Sequence, residues 1–230
     1  MKRLLRALAL LVDYPSKSLK AHIAEVREAV DGEPLLTPTD RAMLDPLLRS
    51  FEQQSLLELQ VAYSDIFDNS RALSLHFFEH IHGESRERGQ AMLDLGEEYI
   101  KHGCFLQRDE LPDFIPLFLE FASCLPEAEA SDWLSQPAHV FAALAQRLDK
   151  YKSSYAAIFH LLIRLAGEQP DAQAVQELLA RNQQAAKTSI DEEWREEPVT
   201  FTTPEQKAPE SGLIARLKAA GKLILTSNST

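Results

Sequence analysis

Residues 76–92 read HFFEHIHGESRERGQAM and bring three histidines, three glutamates and two arginines into one short segment. The first five fit the H-x-x-E-H spacing of a zinc peptidase, with His76 and His80 as ligands and Glu79 between them. On a helix, His76, Glu79 and His80 fall at i, i+3 and i+4 and share a face. Two imidazoles one turn apart can chelate zinc, and the glutamate can activate a water. A third ligand is not in place: His82 points off that face, and Glu84 lies beyond Gly83. The competing reading is a polar stripe on a buried helix, its imidazoles hydrogen-bonded to nearby carboxylates. Arg86 and Arg88 follow, and Glu84 and Arg88 form an i, i+4 pair that suits an exposed helix start. Other chemistries lack their motifs: there is no G-x-S-x-G, no Walker loop and no G-x-G-x-x-G. Cys104 and Cys124 form no C-x-x-C and suggest neither a disulfide framework nor a cysteine zinc site.

The elements that would carry these residues all have helical period. Leu4, Leu8, Leu11 and Val12 mark one face of a helix that Pro15 ends. Leu56, Leu59, Tyr63, Ile66 and Phe67 mark another, closed by Asp68-Asn69-Ser70. Residues 72–82 are apolar nearly all round and predict a buried helix stopping at Gly83. Ala91, Met92, Leu95 and Tyr99 predict the next, ending at Gly103. Asp113 reads as the N-cap of a helix lined by Leu117, Phe118, Phe121, Cys124 and Leu125. With Pro112 ahead of it, the 110–113 stretch should be a stiff loop presenting Glu110 and Asp113 to that helix N-terminus. Further helices are expected over 141–148, 155–166 and 171–179, the last capped by Asp171. No stretch alternates at period two for long enough to be a strand, and peptidases with the H-x-x-E-H motif need strands. The zinc-dependent hydrolase is therefore the alternative reading.

The expected architecture is all-α: a helical bundle over residues 1–185, followed by an acidic, proline-containing flexible tail over 186–230 with a short amphipathic helix near its end. The chain has 230 residues, 45% apolar content and a formal charge of −11. Such a balance excludes nucleic acid as a partner, because phosphate binding needs a basic surface. It suits a basic or apolar one. The opening MKRLLRALALLVDYP has too short an apolar run for a signal peptide, and no stretch is long enough to span a bilayer, so a cytoplasmic location is expected.

Two longer segments carry a family resemblance. YSDIFDNSRALSLHFFEHIHGESRERGQAMLDL, followed by ELPDFIPLFLEF, resembles the NarJ-type nitrate reductase assembly chaperones, within the wider group of cytoplasmic chaperones for molybdenum-cofactor enzymes. LLVDYPS near the start and DEEWREEPVTF after the last helix extend the likeness over most of positions 1–201. The resemblance implies a non-enzymatic, all-helical chaperone that binds the N-terminal segment of the apo nitrate reductase α (catalytic) subunit. It implies that the chaperone supports molybdenum cofactor insertion without holding the cofactor stably, delays membrane attachment and is absent from the final enzyme. Cofactor-biosynthesis proteins are further partners on this view. Two positions depart from the family pattern: a leucine-like residue is usual where His76 stands, and a histidine is usual where Phe114 stands.

A client segment of this kind is expected to be a short, partly basic amphipathic helix, which needs an apolar trough with an acidic rim. Tyr63, Phe67, Phe78 and Phe114 are the trough candidates, and Asp68, Glu79, Glu84, Glu110 and Asp113 the rim candidates. Arg86 and Arg88 border them. His80 and His82, titrating near neutrality, would tune capture by pH. A helical adaptor with an unrelated client is the remaining alternative, since fold alone does not fix function.

Overall fold

Leucines at helical spacing bury the start of the chain. In the computed structural model, helix α1 (Lys2–Val12) sinks Leu4, Leu8, Leu11 and Val12 completely into the core. The structure describes residues 1–83, 85–105 and 110–185. After α1 come α2 (Lys17–Ala21), α3 (Ile23–Asp31), α4 (Pro38–Gln53) and α5 (Leu56–Phe67). A 3-10 turn at Arg71–Leu73 leads to α6 (Phe77–His82) and α7 (Glu87–Lys101). The rest is α8 (Ile115–Cys124), α9 (Glu127–Ser135), α10 (Ala138–Lys150), α11 (Ala156–Ala166) and α12 (Ala172–Ala185). No described helix is long and apolar enough to cross a membrane. The expected all-α architecture is the one found; the tail from residue 186 lies outside the described residues.

Helix α1 lies along α8, α10 packs on α11, and α11 also meets α4 and α9. The fully buried Phe118, Phe141, Phe159, Ile158 and Leu162 fill the space between them. Helices α4 and α5 both start in capping boxes, Thr37 with Asp40 and Ser55 with Glu58, each satisfying two otherwise orphaned N–H groups. Asp40 also holds the far end of α11, since Arg164 Nε donates to its carboxylate at 3.0 Å. Asp171 caps α12 as expected, accepting from the Gln173 N–H at 2.9 Å.

Two sequence expectations fail, and both failures shape the site. The predicted helix over 72–82 is broken: the 3-10 turn ends at Leu73, residues 74–76 are extended, and α6 begins only at Phe77. Serines cause the break by offering the backbone local alternatives to helical bonds. Ser70 Oγ accepts from the Ala72 N–H, and Ser74 Oγ from the His76 N–H. The second failure concerns α8. Its N-cap is Phe114, with Pro116 in the first turn, and Asp113 turns its carboxylate elsewhere.

Candidate functional site

The extended residues 74–76 find a backbone partner in the loop before α8. Phe77 N–H donates to the Asp113 carbonyl at 3.1 Å, and Ile115 N–H to the Leu75 carbonyl at 2.8 Å. His76 and Phe114 face each other across this antiparallel bridge, their rings 5.2 Å apart. Asp113 lies beneath with no exposure. Its carboxylate accepts from the Phe78 N–H at 3.3 Å, inside the first turn of α6, and from His76 Nδ1 at 3.1 Å. The predicted stiff loop thus delivers a carboxylate to a helix N-terminus, but to that of α6 rather than α8. Tyr99 secures the loop by donating its hydroxyl to the Pro112 carbonyl at 2.8 Å. From the start of α7, Arg88 reaches Glu79 at 3.1 Å and stands 3.7 Å from Asp113.

Above this bridge is a pocket of about 230 Å³. Tyr63, Phe67, Leu75 and Phe114 form its apolar lining, and Asp68 and Glu79 supply carboxylates. Ser70, Arg71, Ser74 and His76 complete it. Tyr63 and Phe67 pack tilted on each other with centroids 4.7 Å apart, and behind them Tyr155 meets both edge to face at 6.0 and 5.1 Å. The Tyr63 hydroxyl donates to the Val12 carbonyl at 3.2 Å, and burial pushes its pKa well up. These rings are rigid walls whose edges show at the pocket, which is narrower than a drug-sized cavity. It suits one or two large side chains.

Of the residues singled out from sequence, Tyr63, Phe67, Asp68, Glu79 and Phe114 meet at this pocket. Asp113 and Arg88 hold it from beneath. Phe78 does not reach it: at 1% exposure it packs against Phe77 and His82 in the core. His80 is buried too, its Nε2 donating to the Ser74 carbonyl at 2.8 Å. Burial pushes its pKa down to about 4. His80 therefore stays neutral near pH 7 and cannot tune capture there, contrary to expectation. The His82 ring is buried as well, with Nδ1 3.8 Å from Glu87. Arg86 and Glu110 are exposed and do not line the pocket. Glu84 lies outside the described residues.

His76, Ser70, Ser74, Leu75 and Arg71 are the pocket residues that sequence reasoning did not assign to it. The two serines and Asn69 were legible as a helix interruption. Reading 72–82 as one helix hid that signal.

The same break dismantles the zinc site. His76 precedes α6 and turns to Asp113, so it shares no helical face with Glu79 and His80. Among the described residues, no group of three His, Cys, Asp or Glu side chains could hold a metal.

Comparison with known proteins gives one answer. The profile of the nitrate reductase delta subunit family matches residues 33–160. The nitrate reductase molybdenum cofactor assembly chaperone NarJ of Escherichia coli K12 is 41% identical, over 83% of this chain and 81% of its own. NarW of the same strain, named as a chaperone of the same kind, is 34% identical over 86% and 84% of the two chains. A solved structure from Archaeoglobus fulgidus, assigned to redox enzyme maturation, superposes with a TM-score of 0.52. It spans 73% of this chain and 94% of its own, and at 22% identity it speaks for the fold alone.

Proposed function

The chain belongs to the nitrate reductase delta subunit family, and from that premise we propose that it is a molybdenum cofactor assembly chaperone for a nitrate reductase. Its task is to assist the cofactor's insertion into the apoenzyme, without catalysis and without keeping the cofactor. The observation that carries this reading is the extended likeness to NarJ, across four-fifths of both chains.

The finer proposal concerns capture. The client's N-terminal segment, folded as a short amphipathic helix, docks at the pocket walled by Tyr63, Phe67, Leu75 and Phe114. One or two of its large apolar side chains enter, and the exposed Asp68 and half-buried Glu79 meet its basic residues at the edge. A pocket of about 230 Å³ accepts an anchor residue, not a whole helix, so the remainder of the segment lies across the surrounding surface. While the segment is held, it is withheld from the membrane anchor, and the chaperone works in the cytoplasm.

Titration of the full-length protein with the reductase N-terminal peptide, followed by calorimetry, tests this. Saturable 1:1 binding that weakens as salt rises supports it. No binding at low ionic strength, with intact helicity, leaves a helical adaptor with another client. The zinc hydrolase is set aside, because its three residues do not share a site.

A further inference from the structure

Arg147 of α10 is a cation that the pocket does not expose and the capture reading does not use. It is 7% exposed and, among the described residues, pairs with no carboxylate. Its two end nitrogens go to backbone carbonyls instead: Nη1 donates to Ala72 at 2.8 Å and Nη2 to Leu178 at 2.7 Å. A buried guanidinium is kept only while such acceptors stay in place. Ala72 belongs to the 3-10 turn, between the pocket residues Arg71 and Ser74. Leu178 lies halfway along α12. One side chain therefore ties a wall of the pocket to the last described helix.

Both ends of this tie are weakly held by other means. A turn of three residues does not sustain itself. Its own bonds run from the Leu73 and Ser74 N–H groups to the Ser70 and Arg71 carbonyls, and the next carbonyl, that of Ala72, falls to Arg147. At the other end, only Val175 and Leu178 are buried among residues 172–180. Two buried side chains give a helix a shallow seat, which places α12 at the low end of local stability.

We propose that Arg147 is a positioning residue of the pocket, fixing the 71–74 wall and making that wall depend on the seating of α12. Lifting α12 withdraws the Leu178 carbonyl and leaves half of the guanidinium unsatisfied, so the side chain turns toward water and releases Ala72. The coupling is reciprocal: a client side chain packed on Arg71, Ser74 and Leu75 steadies the wall and, through Arg147, steadies α12. The use of this coupling rests on the capture reading, whereas its existence is a property of the fold alone.

Amide hydrogen exchange of the full-length protein, resolved to single residues, tests it without any ligand. Paired Val175→Ser and Leu178→Ser substitutions unseat α12 while leaving its carbonyls in place. Exchange should quicken across 172–180 and, by about tenfold, at Ala72, Leu73 and Ser74, with the fully buried amides of α11 unchanged. Arg147→Met should quicken the same three amides by a similar factor, and adding the α12 substitutions to it should have no further effect there. Arg147→Lys, which keeps the charge but reaches one carbonyl, should fall between. Native exchange at 72–74 with α12 demonstrably open, or strict additivity of the two changes, overturns the proposal. The first of these outcomes needs no substitution at Arg147. A separate titration with the reductase N-terminal peptide should protect the α12 amides. Loss of that protection while the ligand-free coupling persists counts against the capture reading and leaves the positioning role standing.

Discussion

The Asp113 carboxylate has no contact with solvent, yet it takes a backbone N–H from Phe78 and an imidazole N–H from His76 and lies close to Arg88. Buried carboxylates persist only where such partners offset desolvation. Asp113→Ala orphans the Phe78 N–H and strips Arg88 of a counter-charge, so it should destabilise the fold by about 3 kcal/mol, read as a shift in the urea midpoint. A smaller effect than about 1 kcal/mol would mean the network is ornamental. The two departures from the family pattern also meet here: His76 and Phe114 are bridge partners. In this chain the imidazole that meets Asp113 comes from His76, with Phe114 across the bridge; exchanging the pair to leucine and histidine, the types the family resemblance implies there, would move the imidazole to the other side. That makes a double-mutant cycle decisive. His76→Leu and Phe114→His should each destabilise alone, and combined should recover about 1 kcal/mol of coupling. Strict additivity would show that the exchange is accidental.

Among the elements, α6 shows how a short helix depends on its surroundings. Six residues hold no stable helix alone, because nucleation costs more than so few bonds return. The Asp113 carboxylate at its first turn and the packing of Phe77 and Phe78 hold it. Helix α4 depends on its cap instead. Burial works against the Asp40 charge, but hydrogen bonds from Thr37 and the Arg164 guanidinium outweigh it and bring the carboxyl below its ordinary range. With a depressed folded-state pKa, the contribution is present above the unfolded value near 4 and is lost as pH falls through the folded one. Thr37→Ala should therefore cost about 1 kcal/mol at pH 7. In chemical denaturation the deficit should shrink as pH falls below the ordinary carboxylate range, as the partner carboxylate protonates in both proteins. A deficit unchanged across that range would assign the loss to packing.

For the whole molecule, charge and burial set the response to solution conditions. The net charge of −11 and the carboxylates at the pocket predict that capture of a basic client peptide is fast at low salt and weakens steadily as salt rises. Asp68→Lys should weaken that peptide by about tenfold, roughly 1.4 kcal/mol, and flatten the salt dependence. Equal affinity in the variant would place the peptide elsewhere. Global stability should also depend on His80. Its folded pKa, near 4, lies below the unfolded value of about 6.5. Protonation therefore favours the unfolded chain, and stability falls as pH drops through that window, by about 2 kcal/mol at pH 5. Urea midpoints at pH 7 and 5 should show this slope in the native chain and a flatter one in His80→Gln, whose amide replaces Nε2 as the donor to the Ser74 carbonyl.

Helix positions were largely readable without coordinates, because an α-helix closes its bonds between residues four apart and displays its buried face at a period of 3.6. The faces of α1, α5, α7 and α11, the glycine stops at 83 and 167 and the Asp171 cap all follow from such local rules. The site did not, beyond a handful of aromatic and acidic candidates. Asp113 serves residues 35 and 37 positions away, and Asp40 serves one 124 away. Partnerships at that range are chosen by how helices stack, and a histidine that fits a zinc spacing on paper belongs to whichever carboxylate the packed core sets beside it.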